Sequence, residues 1–118
     1  MNKIQKATED LLLRCGCSPA LVGFEPIRIA IELAVEEPHR LRRVCRDLYP
    51  IVAKRMGSDC AATQQYMYKA VRNLMDNADT ERMSDVLIIM PKLSKGTYTL
   101  KEFISTGAML VRREVESS

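Results

Sequence analysis

The sequence contains no tryptophan and only two phenylalanines, so its hydrophobic core must be built from aliphatic side chains and seven methionines. Histidine is almost missing as well, because His39 is the only one. The sequence also lacks a nucleophile motif and a glycine loop of the kind that cradles phosphates, which leaves no candidate catalytic site. We therefore expect no enzymatic activity, no catalytic residue and no cofactor.

The cysteines do not have the spacing of a zinc site. Cys15 and Cys17 are separated by one residue, Cys45 and Cys60 stand alone, and no C-x₂-C pair occurs. This pattern predicts that the protein has no metal site. In a reducing compartment we expect the four cysteines to be small, buried hydrophobic residues.

Long hydrophobic runs are missing too. No segment approaches the roughly 20 apolar residues that a membrane-spanning helix requires. Thr8, Glu9 and Asp10 interrupt the N-terminal segment before it could form the apolar core of a signal peptide. We expect a cytoplasmic protein without a membrane partner, and its length of 118 residues predicts a single domain.

The sequence does contain helical periodicity, and it predicts an all-α bundle of about six helices. The predicted helices cover about residues 2–14, 24–35, 39–56, 60–77, 80–87 and 100–114, with a short helical turn at about 18–22. Gly16 and Gly57 are predicted to end helices, and either Ser58 or Asp59 to cap the helix that follows.

Three local features refine this prediction. Pro50 falls inside the third helix, where we expect a kink or two abutting helices. Thr99 and Glu102 form a capping box that opens the last helix, after a surface loop, or at most a short extended piece, at about residues 90–98. The tail at about 115–118 is expected to fray.

Positive charge is concentrated in the middle of the chain. Residues 39–77 contain eight lysines and arginines and three acidic residues, a net charge of +5, whereas the rest of the chain sums to −2. In this region Ala53 lies four residues before Gly57, which is the spacing of a small residue and a turn glycine in a helix-turn-helix. A basic helix-turn-helix predicts a protein that binds double-stranded DNA.

The candidate DNA-binding residues follow from the face of the helix at about 60–77. Its predicted buried side chains are Met67, Ala70, Val71 and Leu74. The side chains expected to face bases are Gln64, Gln65, Tyr68 and Lys69, and those expected near phosphates are Arg43, Lys54, Arg55 and Arg72. A solvated helix face would give the same pattern, but the exposed ring of Tyr68 favours a binding surface.

Several short stretches carry a resemblance to a known family. The chain resembles the C-terminal DNA-binding (effector) domain of the sporulation stage-zero master response regulator of endospore-forming bacteria over about residues 8–114. The matching stretches are Leu48-Tyr49-Pro50, Gly23-Phe24 with Arg28, Ala30-Ile31, Ala53-Lys54 and Glu102-Phe103-Ile104. Of these, Leu48-Tyr49-Pro50 is the most specific, because proline is unusual in the first helix of a helix-turn-helix.

The resemblance implies a six-helix transcription regulator that binds promoter DNA as a tandem pair, with its fourth long helix in the major groove. Ala62 and Gln65 stand where the family has arginines that bind guanines, and Tyr68 replaces a following arginine. Since Gln65 can pair with adenine, we expect a different DNA target. We also expect the chain to lack the receiver domain of the family.

A second hypothesis has a different functional class. The chain could have kept the fold as a protein-interaction module that pairs with a full-length response regulator, without base-specific DNA binding. Ala62 supports this alternative, because an alanine cannot replace the guanine contact of an arginine.

Overall fold

The computed structural model of the protein describes residues 2–76 and 100–117, and every regular element in these ranges is helical. The all-α prediction is thus confirmed. The elements are α1 (Lys3–Arg14), α2 (Phe24–Glu36), a 3-10 helix (Pro38–Arg43), a π-helical turn (Val44–Leu48), α3 (Tyr49–Met56), α4 (Cys60–Asp76) and α5 (Leu100–Ser117). The predicted helix at 80–87, the predicted loop at 90–98 and the Thr99 cap lie outside the described residues.

Local signals set both ends of α1. The Asn2 side chain accepts a hydrogen bond from the Gln5 N–H at 2.7 Å and so caps its first turn. At the other end Gly16 has a φ of 88°, and the Cys17 N–H donates to the Leu12 carbonyl at 2.9 Å. This is the hydrogen-bond pattern of a helix end closed by a left-handed glycine, as the sequence predicts.

Helix α2 lies at the centre of the molecule, where it contacts α1, α3, α4 and α5. Ala30, Ile31 and Ala34 on this helix are fully buried. On α5, Gly107 lets that helix approach closely, because a Cβ at this position would lie 3.0 Å from Cδ1 of Ile31. The core is therefore a layer of aliphatic side chains around α2, consistent with the scarcity of aromatic residues.

The prediction of one long helix at about 39–56 is wrong, because these residues form the 3-10 helix, the π-helical turn and α3. Pro50 lies in the first turn of α3, where a missing N–H costs no hydrogen bond, so it opens a helix and does not kink one. The Arg40 guanidinium spans the first two elements by pairing with Glu37 at 2.7 Å and donating to the Asp47 carbonyl at 2.8 Å. Of the two alternatives predicted at Pro50, the structure has abutting helical elements and no kink, since α3 begins directly after the π-helical turn. The 3-10 helix is an additional element that the sequence did not predict.

Two further predictions are corrected. Cys15 and Cys17 are buried as expected, but Cys45 is exposed and Cys60 is half-buried. The C-terminal tail does not fray at 115, because α5 continues to Ser117 and Val115 packs against the core. None of the described helices is long and apolar enough to cross a membrane.

Candidate nucleic-acid interface

Helices α3 and α4 pack against each other and are joined by the three residues 57–59. Gly57 has a φ of 66°, and the Ser58 N–H donates to the Ala53 carbonyl at 3.1 Å to close α3. Of the two predicted caps of α4 the structure selects Asp59, whose Oδ1 accepts the Ala62 N–H at 2.7 Å. A tight turn with a left-handed glycine thus fixes where α4 starts relative to α3.

The inner face of α4 is buried as the sequence predicts, at Met67, Ala70, Val71 and Leu74. The structure adds Thr63, which is only 1% exposed and lies one turn ahead of Met67. Thr63 is absent from the predicted buried residues because threonine is polar, although its helical spacing to Met67 was a usable signal. The Thr63 hydroxyl has no hydrogen-bond partner among the described residues.

The outer face of α4 carries a row of exposed side chains spaced at i, i+4, i+7 and i+11. We call this row the α4 ridge, and it consists of Ala61, Gln65, Tyr68 and Arg72. Gln64 and Lys69 are exposed beside it, and Tyr68 is 45% exposed. The five candidate residues predicted on this helix are therefore brought together on one solvent-facing surface.

The remaining candidate residues belong to two other elements. Lys54 and Arg55 are exposed in the last turn of α3, directly before the turn that leads into α4. Arg43 ends the 3-10 helix, which packs against α2 and the π-helical turn. The structure thus places Lys54 and Arg55 close to α4 along the chain and leaves Arg43 on a separate element.

The basic residues differ in whether they already form ion pairs or hydrogen bonds within the protein. In the part of the chain that the structure describes, no ion pair involves Lys54, Arg55 or Arg72. Arg40 is held by Glu37 and by the Asp47 carbonyl. Cations without an internal partner are the ones that can bind a phosphate without first breaking an ion pair.

Arg28, which belongs to one of the stretches that match the family, has a structural role. Its guanidinium donates to both carboxylate oxygens of Glu25 and also pairs with Glu32. The hydrogen bond from Arg28 lowers the pKa of Glu25, whereas burial raises the pKa of Glu32. Arg28 therefore holds α2 together and is not available for a phosphate.

The N-terminus of α2 touches the backbone of α4. A Cβ at Gly23 would overlap the Tyr66 carbonyl oxygen and lie 2.5 Å from the Cβ of Ala70. In the sequence Gly23 stands out only as part of the stretch that resembles the family, because the distant partner of a glycine leaves no local signal. Gly23 thus fixes the distance between α4 and the central helix.

Beside this contact an open groove of about 300 Å³ follows one side of α4. Val22, Tyr66 and Lys69 are among the residues that line it, and Val22 and Tyr66 are 64% and 41% exposed. The structure shows no cluster of three metal-ligating side chains among residues 2–76 and 100–117. The surface around α4 is therefore polar, basic and partly aromatic.

The family whose sequence profile matches this chain is described as sporulation initiation factor Spo0A C terminal, and the match covers residues 8–111. None of the curated proteins gives a significant match. The profile spans both α3 and α4, and it covers most of α5 as well.

Proposed function

Because the chain belongs to the Spo0A C-terminal family, a family of DNA-binding effector domains and not of enzymes, we propose that it is a transcription regulator that binds double-stranded DNA. In this proposal α3 and α4 form a helix-turn-helix, and α4 lies in the major groove. The protein then acts in the cytoplasm, and its DNA partner is a promoter site.

The α4 ridge is the observation that carries the proposal. Gln65 and Tyr68 are exposed on it, and the sequence of α4 has no carboxylate before Asp76. A surface that lies against DNA must avoid negative charge and offer hydrogen-bonding groups to base edges. In our proposal Gln64, Gln65, Tyr68 and Lys69 contact bases.

The phosphates are assigned to the cations around this ridge. We propose that Arg72, Lys54, Arg55 and Arg43 bind the DNA backbone, although Arg43 lies on a separate element. Four neutralised phosphates give a slope of roughly −4 in a plot of log affinity against log salt concentration. An isotherm series by fluorescence anisotropy on a labelled duplex measures this slope.

Two variants that each remove one positive charge test whether the position of the charge matters for DNA binding or only the net charge of the protein. Arg72→Ala should weaken binding to every duplex and make the slope less negative by about 1. Lys6→Ala removes a cation from α1, which packs on α2 and α5, and should leave the slope unchanged. Equal effects of the two variants would contradict the assignment of α4 to the interface.

Base contacts are tested separately by selecting bound oligonucleotides from a random pool. The wild-type protein should enrich one motif, and Gln65→Ala should bind with weaker preference at one or two of its positions. If no duplex binds, the DNA-binding proposal fails. Capture of a paralogous effector domain in that case would support the protein-interaction module.

A further inference from the structure

The reach of the side chains on the α4 ridge increases along the helix. Ala61 ends at its Cβ, Gln65 extends further, and Arg72 has the longest side chain of the row. With a rise of 1.5 Å per residue, about 6 Å separates Ala61 from Gln65 along the axis and roughly 16 Å separates Ala61 from Arg72. The α4 ridge therefore slopes: its side chains are short at the N-terminal end of the helix and long at the C-terminal end.

The first turn of α4 also carries only short side chains. Cys60, Ala61 and Ala62 follow one another, and Cys60 and Ala62 are half-buried. The exposed Asp59 caps this turn, because its Oδ1 accepts the Ala62 N–H. No long exposed side chain thus keeps the start of the helix away from a surface that it approaches.

A helix of this shape fits a groove when its N-terminal end lies deepest. The methyl group of Ala61 can touch a base only if the helix backbone comes close to it, whereas Arg72 can reach a phosphate from further away. Recognition helices commonly present their N-terminal residues to the base edges. The slope of the ridge favours this orientation for α4.

The side chains near the N-terminus of α4 have the chemistry to distinguish between bases. An alanine methyl packs against the methyl group of thymine, and a glutamine amide forms two hydrogen bonds with adenine. The first cation of α4 is Lys69, so its first two turns hold no arginine or lysine for a guanine.

Resting on the proposed function, we infer that Ala61 is a specificity residue that contacts a thymine methyl, beside an adenine contacted by Gln65. The core of the target is then made of A·T pairs and not of the guanines that arginines would select.

The experiment removes single methyl groups from the DNA. Each thymine of the selected site is replaced in turn by deoxyuridine, which lacks the C5 methyl, and the affinity of the wild-type protein is measured. Loss of one buried methyl contact corresponds to about a fourfold decrease in affinity. We expect a decrease of this size at one thymine.

Two glycine variants then identify the side chain that contacts this thymine methyl. Ala61→Gly should bind the thymine site more weakly and show no further loss with deoxyuridine. Ala62→Gly makes the same change at the half-buried neighbour and should keep the fourfold difference. Because the preference of each protein is a ratio of two affinities, the lower helix stability of a glycine variant cancels out.

The outcomes are distinct. A selected core of G·C pairs, or a deoxyuridine effect that persists in Ala61→Gly, would overturn the inference while leaving DNA binding intact. Failure to bind any duplex would instead overturn the proposed function.

Discussion

Gly23 is the position at which one added methyl group should affect both stability and DNA binding. In Gly23→Ala the new Cβ overlaps the Tyr66 carbonyl oxygen and lies 2.5 Å from the Cβ of Ala70. Ordinary contacts between such atoms begin at about 3.4 Å. Helices α2 and α4 must therefore separate by roughly 1 Å, because the carbonyl belongs to the α4 backbone and cannot rotate away.

The expected cost is that of overpacking a buried contact. Such insertions lower the free energy of unfolding by typically 1–3 kcal/mol, and we expect about 2 kcal/mol here. For a chain of this length the loss corresponds to a decrease in Tm of roughly 8 °C. DNA affinity should also fall, because the displaced helix is the one that carries the α4 ridge.

Thermal and urea unfolding followed by circular dichroism measure this loss of stability. Gly57→Ala is a useful comparison, since nothing lies within 4 Å of its added Cβ and only the left-handed φ of 66° opposes the change. We expect it to cost about 1 kcal/mol. In contrast to Gly23→Ala, it should leave the packing of α2 on α4 intact.

A second substitution tests the geometry of the clash. Ala70→Gly removes one of the two contacts but leaves the Tyr66 carbonyl in place. The double variant Gly23→Ala with Ala70→Gly should therefore be more stable than the two single effects predict when added, yet less stable than the wild type. If Gly23→Ala stays within about 0.5 kcal/mol of the wild type, the close contact does not control this interface.

Three further outcomes are expected. Thr63→Val removes a buried hydroxyl without a partner and should raise the free energy of unfolding by about 1 kcal/mol in urea unfolding; a decrease would show that the hydroxyl is hydrogen-bonded. Arg40→Ala should lower the free energy of unfolding by about 2 kcal/mol, because Arg40 joins the 3-10 helix to the π-helical turn. The control Arg42→Ala, at an exposed position, should change the free energy of unfolding little, and equal effects of the two variants would contradict this role of Arg40. Burial raises the pKa of Tyr49 to about 12. The unfolded chain loses this proton near pH 10, so stability should fall between about pH 10 and 12, and Tyr49→Phe should reduce that fall in urea unfolding at a series of pH values.

The sequence by itself determined the elements whose signals are local. Helices α1, α2 and α4 were predicted to within a residue or two, because apolar side chains at helical spacing recur along them, Gly16 follows the end of α1 and Asp59 caps the start of α4. The exposed face of α4 followed from the same spacing. The match to the family confirms the resemblance that the short stretches indicated.

Only the tertiary structure decided features that depend on a partner elsewhere in the chain. Arg40 reaches the Asp47 carbonyl across the elements that replace the predicted long helix. Thr63 is buried against neighbouring helices, and Gly23 is needed because the α4 backbone passes beside it. Periodicity reports which face of a helix is apolar, whereas close contacts depend on atoms brought together by folding, and these leave no signal in the neighbouring sequence.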